Sequence, residues 1–540
     1  MTRFTSQHIP YAQTNAFSAI VNDYLDRSPE LQPFYAFAPT MEGIGEAIGA
    51  RKSTTTDRNS LVDHLTAQYS NINPGEAVNR NIRSLLSENT FTVCTAHQPN
   101  IFTGHLYFVY KILHAIKLAN ELNAKRPAEH FVPVYYMGSE DADLEELGEV
   151  QILGKKYQWQ TKQTGAVGRM LIDKAFLSIL DGIESQLAVE PFGKELIQQL
   201  RNAYRLGISI EQATFRFVHE LFADYGLIVL LPDAAALKKT FSPVIEKELD
   251  EQFSYAIVQE TVSRFPQKYK VQAAGRELNL FYLKDDLRAR ISVTATGFDV
   301  LETGISFSKE DMRRELADHP ERFSPNVILR PLFQEMILPN VAFIGGGGEL
   351  AYWLELKDLF EAANIPFPVL LLRNSFLLVE EKVAVLMAKL GFAPADFFRP
   401  SIELMETLVK KHSTLPLSLS AELETIGQIY RQVEQAASAI DPTLSKHVAA
   451  LETQHLQRIQ LLEKKMMRAE KRKFAAEERQ LAKLRAALFP GGILQERTDN
   501  LLPYYARYGK QIIADLYDNS AATEAAFCII TGKEVTSGNS

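Results

Sequence analysis

Two polar segments of this sequence carry side chains suited to binding and activating a small ligand. The first follows the apolar run 91–96 and holds six candidate residues, which are His97, Gln98, Asn100, Thr103, Gly104 and His105. Backbone N–H groups ahead of a helix, together with the helix dipole, favour phosphate or carboxylate, and histidine exchanges protons near neutral pH. We therefore expect the two histidines to be catalytic and the other four residues to bind the ligand. The alternative is that the histidines only satisfy the turn.

The second polar segment is acidic and closes the apolar run 131–137. Its candidates are Glu140, Asp141 and Asp143. Carboxylates in this place orient an amine, accept its proton or hold Mg²⁺, although an acidic first helical turn also complements the helix dipole alone. We expect Asp141 and Asp143 to be catalytic and Glu140 to bind the ligand. No His or Cys stands here at the spacing of zinc ligands, so no metal ligand is assigned.

The two segments are predicted to lie side by side. Between them Leu106, Tyr110, Leu113 and Lys117 repeat at helical spacing, so the predicted order is strand, polar loop, helix and strand. Such a unit makes the two strands parallel, and ligands of open α/β sheets bind outside the carboxyl ends of the strands. Lys111, one turn into the helix, would then hold anion oxygens. The sequence predicts an α/β fold with a mostly parallel sheet.

A third candidate is the glycine turn after a strand predicted at 341–344. It comprises Gly345, Gly346, Gly347, Gly348 and Glu349. The turn matches neither the dinucleotide fingerprint nor the P-loop, so only its position after a strand points to a nucleotide. Neighbouring candidates for ligand contact are Arg330, Gln334, Tyr352, Trp353 and Arg373, of which the two aromatic residues would equally suit a packed core. A helix at 349–363 and a strand at 369–372 are expected to follow.

The composition is that of an ordinary globular chain with more than one domain. Of 540 residues, 46% are hydrophobic and 23% are charged, and a chain of this length exceeds a single core. The net charge of -8 argues against nucleic acid and anionic membranes as partners. With only Cys94 and Cys528, and with no apolar leader or membrane-length run, we expect a cytoplasmic protein without a disulfide framework.

From about residue 381 the sequence changes to heptad spacing. One seam runs through Leu419, Leu423, Ile426, Tyr430, Val433, Ala437 and Ile440, and a second through Leu444, Val448, Leu451, His455, Ile459, Leu462, Met466 and Ala469. These seams predict two antiparallel helices, the longer at 444–488. The hairpin either folds on its own domain or serves as a dimerisation arm, which we favour.

The expected domains are a core at 1–380, a coiled-coil arm at 381–488 and a segment at 489–540 that returns to the core. This last segment would deliver Gln495 and Arg497 to the ligand. The longer helix is basic, with eleven Lys or Arg against five Glu over 446–485. A solvated outer face explains such a count, and nucleic-acid binding is the alternative.

Four motifs, in this order, resemble the bacillithiol-biosynthesis cysteine-adding enzymes. They are AHQPNIFTGHLYFVYK, VPVYYMGSEDADLEEL, SPNVILRPLFQEMILPNVAFIGGGGELAYW and FPGGILQER. The likeness covers nearly the whole chain, including NAFSAIVNDYL near the N-terminus and the heptad hairpin.

The resemblance implies a nucleotidyltransferase-like Rossmann core with connecting-peptide insertions, and a coiled-coil arm that makes a homodimer. It implies a cysteine ligase that joins the carboxyl group of cysteine to the amine of glucosaminyl malate, the last step of bacillithiol biosynthesis. Amide formation from a free acid needs an activated carboxylate, so ATP is expected, with Mg²⁺ as a candidate companion. Arg330 or Arg373 would then hold phosphate or malate oxygens. The alternative is a nucleotide-binding scaffold that recruits another ligase.

The chain departs from the family pattern at three places. The usual GQQ is Ala96-His97-Gln98, the usual GPLY is Gly104-His105-Leu106-Tyr107, and the usual EDHD is Glu140-Asp141-Ala142-Asp143. Ala142 therefore removes a histidine that would serve as a metal ligand or general base. We expect His97 and His105 to compensate for this loss.

Overall fold

The computed structural model of the chain describes residues 4–273 and 275–532. The strands in that part, numbered in chain order, are β1 Phe4–Ile9, β2 Thr90–His97, β3 His130–Met137, β4 Glu149–Ile152, β5 Lys155–Gln158, β6 Ile228–Leu230, β7 Leu280–Lys284, β8 Leu287–Val293, β9 Gly297–Val300, β10 Ile305–Ser308, β11 Phe323–Pro325, β12 Asn340–Gly345, β13 Val369–Leu372, β14 Ser375–Val379 and β15 Phe527–Gly532.

The α-helices in the same part of the chain are also numbered in chain order. They are α1 Ala19–Leu25, α2 Met41–Lys52, α3 Arg58–Tyr69, α4 Gly75–Ser84, α5 Leu106–Lys125, α6 Leu144–Leu147, α7 Lys174–Leu187, α8 Gly193–Ala203, α9 Ile210–Phe222, α10 Ala235–Glu251, α11 Phe253–Arg264, α12 Lys309–Asp318, α13 Arg330–Ile337, α14 Gly347–Trp353, α15 Lys357–Ala362, α16 Glu381–Lys389, α17 Ser401–His412, α18 Ser420–Ile440, α19 Leu444–Lys471, α20 Ala475–Leu488, α21 Leu501–Tyr508 and α22 Gln511–Asp518.

Five strands form an all-parallel sheet in the order β13-β12-β2-β3-β6. Its central strands are buried along nearly their whole length, which is why their sequences read as continuous apolar runs. Helix α5 connects β2 to β3 and packs Ala115, Leu118 and Leu122 into the core cluster of this sheet. The expected α/β class with a mostly parallel sheet is confirmed.

Strands β7 to β11 form a second sheet, which is antiparallel and has the order β10-β9-β8-β7-β11. Strands β4 and β5 pair as a separate hairpin. The sequence showed the alternation of β7 and β8, but the sheet they belong to depends on strands that are up to 45 residues apart along the chain, since Pro325 of β11 pairs with Leu280 of β7.

The helix expected at 349–363 is wrong in its extent. Helix α14 begins at Gly347, because the side chain of Glu349 accepts a hydrogen bond from the Gly346 N–H at 2.8 Å and so caps an earlier start. Residues 353–356 are all fully buried. A straight surface helix presents one face to the core, so the chain turns here, and α15 follows as a separate helix.

The chain divides into two compact units. One contains the described residues up to Leu377 together with Ile493–Cys528, and the other contains Leu378–Gly492 together with the described residues from Ile529. Strands β14 and β15 run through the boundary. The first unit therefore includes part of the segment expected to return to the core. The expected domain borders at 380 and 488 stay a prediction.

In the second unit α18 and α19 form the antiparallel hairpin that the heptad spacing predicts, so the expected coiled coil is confirmed. Tyr430 on α18 hydrogen-bonds to His455 on α19, and the Ser445 hydroxyl donates to Glu434 at 2.6 Å. A 3-10 turn at Arg472–Phe474 separates α19 from α20. Apolar spacing alone does not reveal such a local tightening of the helix.

Across the described residues, none of the helices combines the length and the apolar character that crossing a membrane requires.

Candidate active site

A cavity of about 700 Å³ lies at the carboxyl end of the parallel sheet. The chain enters its wall directly after β2, β3, β12 and β13. Thirteen of the residues selected from the sequence line it: His97, Gln98, Lys111, Glu140, Asp141, Arg330, Gly346, Gly347, Gly348, Glu349, Tyr352, Arg373 and Arg497. The histidine loop, the acidic segment and the glycine turn thus meet in one space, because the carboxyl ends of parallel strands share one edge of a sheet.

Nine other candidates do not line the cavity: Asn100, Thr103, Gly104, His105, Asp143, Gln334, Gly345, Trp353 and Gln495. Several of them have structural partners instead. Asp143 is exposed and caps α6 by accepting from the Glu146 N–H at 3.0 Å. Trp353 is fully buried and stacks on Phe343 with 4.4 Å between ring centres, which is the core-packing alternative.

His97 lies at the end of β2 and its ring packs between Tyr107 and Phe108, with 5.4 Å between ring centres in both cases. Burial, with the charge of Lys111 next in effect, lowers the pKa of His97 well below its usual range. The ring is therefore neutral at pH 7. Its Nε2 is enclosed and has no hydrogen-bond partner in the described part of the chain, and the residue lines the cavity.

The loop after His97 is held by the segment that returns from the C-terminus. Phe102 and Thr103 have φ of 51° and 69°, and Gly104 has φ of 60° with ψ of -133°. Each such residue other than glycine is strained. The Asn500 side chain donates to the Phe102 carbonyl at 2.9 Å and also to the Gly104 carbonyl. Tertiary contacts therefore fix this loop.

The acidic segment divides into two carboxylates with different partners. Asp141 accepts from the Gln98 amide at 3.1 Å and from the Ala142 N–H at 2.7 Å. Glu140 forms a buried ion pair with Lys238. Burial raises the pKa of Glu140 although Lys238 opposes that rise. Asp141 is therefore the more accessible base toward the cavity.

Lys238 also pairs with Asp233 at 3.1 Å. Two nitrogens of the Arg169 guanidinium donate to the two carboxylate oxygens of Asp233, at 2.7 and 2.8 Å. Burial alone would raise the pKa of Asp233, but Lys238 and Arg169 lower it to about 2. The wall behind Glu140 is thus a buried network of fixed charges. Sequence spacing did not select Lys238 or Arg169, because the chain separates Arg169 from Asp233 by 64 residues and Lys238 from Glu140 by 98.

Lys111 joins the histidine loop to the glycine turn. Its ammonium donates to the Ala96 carbonyl at 2.9 Å and pairs with Glu349. Burial lowers the pKa of Lys111, with Glu349 opposing the change. The Glu349 carboxylate also accepts a hydrogen bond from the Gly346 N–H. One carboxylate therefore holds the glycine turn and neutralises the charge of Lys111.

Arg330 and Arg373 approach the cavity from α13 and from the end of β13. Arg330 donates to the Tyr352 hydroxyl at 2.7 Å, and Gln334 supports it from one turn away. Arg373 forms a buried ion pair with Glu496 at 2.6 Å and lies over the Tyr107 ring, 5.2 Å from its centre. Arg330 is therefore the one of these two that keeps its charge available for a ligand.

The opposite wall consists of residues that were not selected from the sequence. They include Gln272, Arg276, Phe281, Arg288, Arg290 and Asn326. The sequence signal that could have found them is that Arg288 and Arg290 lie two residues apart and alternate with apolar residues along a predicted strand. Only the antiparallel sheet shows which way that face points.

Positive charge exceeds negative charge around the cavity. Seven basic residues line it, Lys111, Arg276, Arg288, Arg290, Arg330, Arg373 and Arg497, against four acidic ones, Glu140, Asp141, Glu146 and Glu349. Among the described residues, five of the seven make no ion pair, since only Lys111 and Arg373 have carboxylate partners. Such a surplus fits a ligand with several anionic oxygens.

Side chains in the part of the chain that the structure describes do not form a metal-binding cage by themselves. Within the described residues, no group of three or more His, Cys, Asp or Glu side chains is arranged to hold a metal ion. Mg²⁺ commonly binds through one or two carboxylates and the phosphates of a substrate, so a cation here would need oxygens from the ligand.

Comparison with known families decides the relationship that the motifs indicated. The family profile described as "Bacillithiol biosynthesis BshC, N-terminal Rossmann-like domain" matches residues 4–374, and "Bacillithiol biosynthesis BshC, C-terminal coiled-coil domain" matches residues 376–531. The chain belongs to the BshC family. The resemblance and the Rossmann-like and coiled-coil domains it implied are confirmed.

Curated BshC relatives match over almost their full lengths. A protein of Flavobacterium johnsoniae is 39% identical over 97% of this chain and 99% of its own, and one of Christiangramia forsetii is 39% identical with the same coverage. One of Cytophaga hutchinsonii is 36% identical over 96% of this chain and 97% of its own. Each is named "Putative cysteine ligase BshC".

Among solved structures, a chain titled as a putative arginyl-tRNA synthetase from Campylobacter jejuni covers 82% of this chain and 98% of its own. Its identity is 10% and its TM-score is 0.23, too low to support an argument.

Proposed function

We propose that this protein is a ligase that joins the carboxyl group of cysteine to the amine of glucosaminyl malate, with ATP activating the carboxyl group. Family membership and the names of the curated relatives support a cysteine ligase. The observation that carries the finer proposal is the cavity itself, where a carboxylate and an enclosed neutral histidine face a surplus of arginines.

The proposed reaction has two steps. A cysteine carboxylate oxygen attacks phosphorus of ATP, giving an acyl adenylate with release of pyrophosphate, or an acyl phosphate with release of ADP. The acceptor nitrogen then attacks the acyl carbon, the C–N bond forms, and AMP or phosphate leaves with the electron pair of the broken C–O bond. The nitrogen loses its proton to a carboxylate.

The residues of the cavity suit these steps in named roles. Asp141 is proposed to bind the acceptor ammonium and accept its proton, since it lines the cavity and backbone N–H groups and the Gln98 amide hold its carboxylate in place. His97, which is neutral and whose Nε2 has no partner among the described residues, would donate a hydrogen bond to the oxyanion that develops at the acyl carbon. Arg330 would bind phosphate oxygens beside the glycine turn. Mg²⁺, if required, would enter with the ATP phosphates.

The decisive experiment incubates the purified protein with cysteine, glucosaminyl malate and Mg-ATP. Mass spectrometry should detect the amide, and nucleotide chromatography should show whether AMP or ADP accumulates in equal amount. Absence of amide with active substrates would contradict the proposed reaction. Salt-dependent RNA retention without amide would instead favour the nucleic-acid alternative.

Asp141 and Asp143 offer a matched pair of variants. Asp141→Asn should lower kcat at least ~100-fold, because the amine loses its base. Asp143→Asn should lower it less than about threefold, because this exposed residue only caps α6. Steady-state kinetics separate the two, and an equal loss in both would remove Asp141 from the proposed role.

The homodimer is proposed on the exposed part of the coiled-coil hairpin. Among the residues that the structure describes, Ile440 is 84% exposed, Leu461 57% and Ile429 53%. Apolar side chains this exposed along a two-helix hairpin favour a partner surface. The proposed partner is a second copy of this chain.

A further inference from the structure

The β7–β8 hairpin presents two arginines to the cavity from the wall opposite the parallel sheet. Arg288 and Arg290 lie two residues apart in β8 and therefore share one face of the strand. Phe281 of β7 lies directly opposite Arg290 on that face. All three side chains line the cavity. The Arg288 guanidinium lies 3.8 Å from the centre of the Phe281 ring, which fixes its position.

The carboxylates of Asp141 and Glu140 attract Arg288 and oppose the lowering of its pKa by burial, but neither lies within ion-pair distance of its guanidinium. Within the described residues it makes no ion pair, and its Nε is enclosed without a hydrogen-bond acceptor. A buried donor left unpaired costs stability, and a cation in this place costs more. An anionic ligand with planar oxygens would satisfy the guanidinium.

The hairpin is tied to the segment that carries Asp141. The Thr164 hydroxyl donates to the carbonyl of Asp286 in the β7–β8 turn at 2.8 Å. Three residues later, the Val167 N–H donates to the Asp141 carbonyl at 2.7 Å. Residues 164–168 thus bridge the hairpin and the acidic segment, and so fix the position of Arg288 relative to Asp141.

The proposed acceptor requires such an arrangement. Glucosaminyl malate carries its amine and its malate on neighbouring carbons of one sugar ring, so the base for the amine and the groups that bind the malate must be adjacent. Malate has two carboxylates, and arginine binds a carboxylate through two parallel hydrogen bonds. On the opposite wall, Lys111 and Arg373 already have carboxylate partners in Glu349 and Glu496.

We propose that Arg288 and Arg290 form the subsite that binds the two carboxylates of malate and so select the acceptor. The identity of the acceptor rests on the proposed function, whereas the dicarboxylate subsite rests on the hairpin itself. Arg330 is left to the nucleotide side of the cavity.

The test uses the full-length protein with Arg288→Met, Arg290→Met and Arg288→Lys, and with Lys284→Met as control. Lys284 is exposed on the same hairpin and does not line the cavity. The two methionine variants should raise the KM for glucosaminyl malate at least ~10-fold and leave the KM for ATP within about twofold. They should also lose discrimination against methyl glucosaminide, an acceptor without carboxylates. Arg288→Lys should recover part of the affinity, and Lys284→Met should behave as the unmodified protein.

Other kinetic outcomes overturn the subsite. A rise in the KM for ATP would assign the arginines to phosphate, and unchanged acceptor discrimination would remove them from recognition. Circular dichroism on each variant identifies a folding defect, and in that case the lysine variant decides, because it keeps the charge.

A binding titration separates failure of this subsite from failure of the proposed reaction. Calorimetry measures glucosaminyl malate, and malate alone, against the protein without ATP or cysteine. If no amide forms but the unmodified protein binds the dicarboxylate and Arg288→Met binds it at least ~10-fold more weakly, the subsite stands and the reaction fails. Equal binding by both, or none by either, overturns the subsite.

Discussion

Lys238 lies between two buried carboxylates, Glu140 at the cavity and Asp233 behind it, and is itself 1% exposed. A buried charge of this kind is compensated only by partners that tertiary structure brings to it. Its role is to keep the acidic wall of the cavity in a fixed geometry. Glu211 belongs to the same region, and its Oε2 is enclosed with no hydrogen-bond partner among the described residues.

Lys238→Met should lower the free energy of unfolding by about 3–5 kcal/mol, because Glu140 and Asp233 lose a shared cation in a buried place. Urea denaturation at pH 7 measures the change. The control is Lys239→Met, which is exposed next to it and should change stability by less than about 0.5 kcal/mol. Equal effects of the two variants would show that the buried pair contributes nothing.

Glu211→Gln should stabilise the protein increasingly as pH rises. Burial, reinforced by Asp233, raises the pKa of Glu211 to about 8 from the ordinary 4.5. The folded state therefore holds a proton that the unfolded state releases, and the carboxyl costs stability from about pH 4.5 upward until it ionises near pH 8.

The gain from Glu211→Gln should be near zero at pH 4 and should grow by at most about 1.4 kcal/mol per pH unit up to pH 8. Urea denaturation at several pH values measures it. Glu220→Gln, exposed on the same helix, should show no such trend. A gain independent of pH would rule out ionisation of Glu211 as the cause.

The loop between β2 and α5 is the element that depends most on its neighbours. Three consecutive residues, Phe102, Thr103 and Gly104, have positive φ, and Asn500 holds the loop from the C-terminal segment. A short loop with this backbone is stable only when surrounding contacts determine it. Gly104 is the position where glycine is required, because a Cβ there would lie 2.8 Å from the Cβ of Asn100.

Gly104→Ala should lower the free energy of unfolding by about 1–3 kcal/mol and reduce kcat, because the loop that follows His97 must shift. Gly49→Ala is the matched control, since Gly49 lies in α2 with no atom within 4 Å of an added Cβ. That change should raise stability by about 0.5–1 kcal/mol. Thermal unfolding and steady-state kinetics test both variants, and a neutral Gly104→Ala would show that the loop tolerates another backbone.

Over the whole molecule, the charge of the cavity is opposite in sign to the net charge of the chain. The chain has a net charge of -8, yet seven basic residues face four acidic ones in the cavity. The total therefore describes the outer surface and says little about the ligand. The exposed apolar residues are also unevenly distributed over the chain, since several of them lie on the helices of the coiled coil.

The double variant Ile440→Glu, Leu461→Glu should convert a dimer to a monomer, because charges on the exposed hairpin surface oppose its burial against a second copy. Analytical ultracentrifugation should show the dimer dissociation constant rise at least ~100-fold. Gln454→Glu, an exposed polar position on α19, is the control and should leave the mass unchanged. A monomeric unmodified protein would contradict the proposed dimer.

The α/β order, the heptad hairpin and the segments that meet at the cavity all follow from the pattern of residues along the chain. Apolar runs mark parallel strands, and residues that follow such strands must share one edge of the sheet. That geometry alone predicts that the segments of His97, Asp141 and Gly346 lie together, and all three residues line the cavity.

Long-range packing, which the residue pattern does not show, sets which residues of each segment face the cavity and which charges are already paired. Asp141 and Asp143 are two apart, yet one lines the cavity and the other caps a helix. Lys111 pairs with Glu349 from a distant part of the chain, and Arg288 reaches the site from a separate sheet. The physical reason is that periodicity gives the face of an element, whereas long-range packing decides what that face meets.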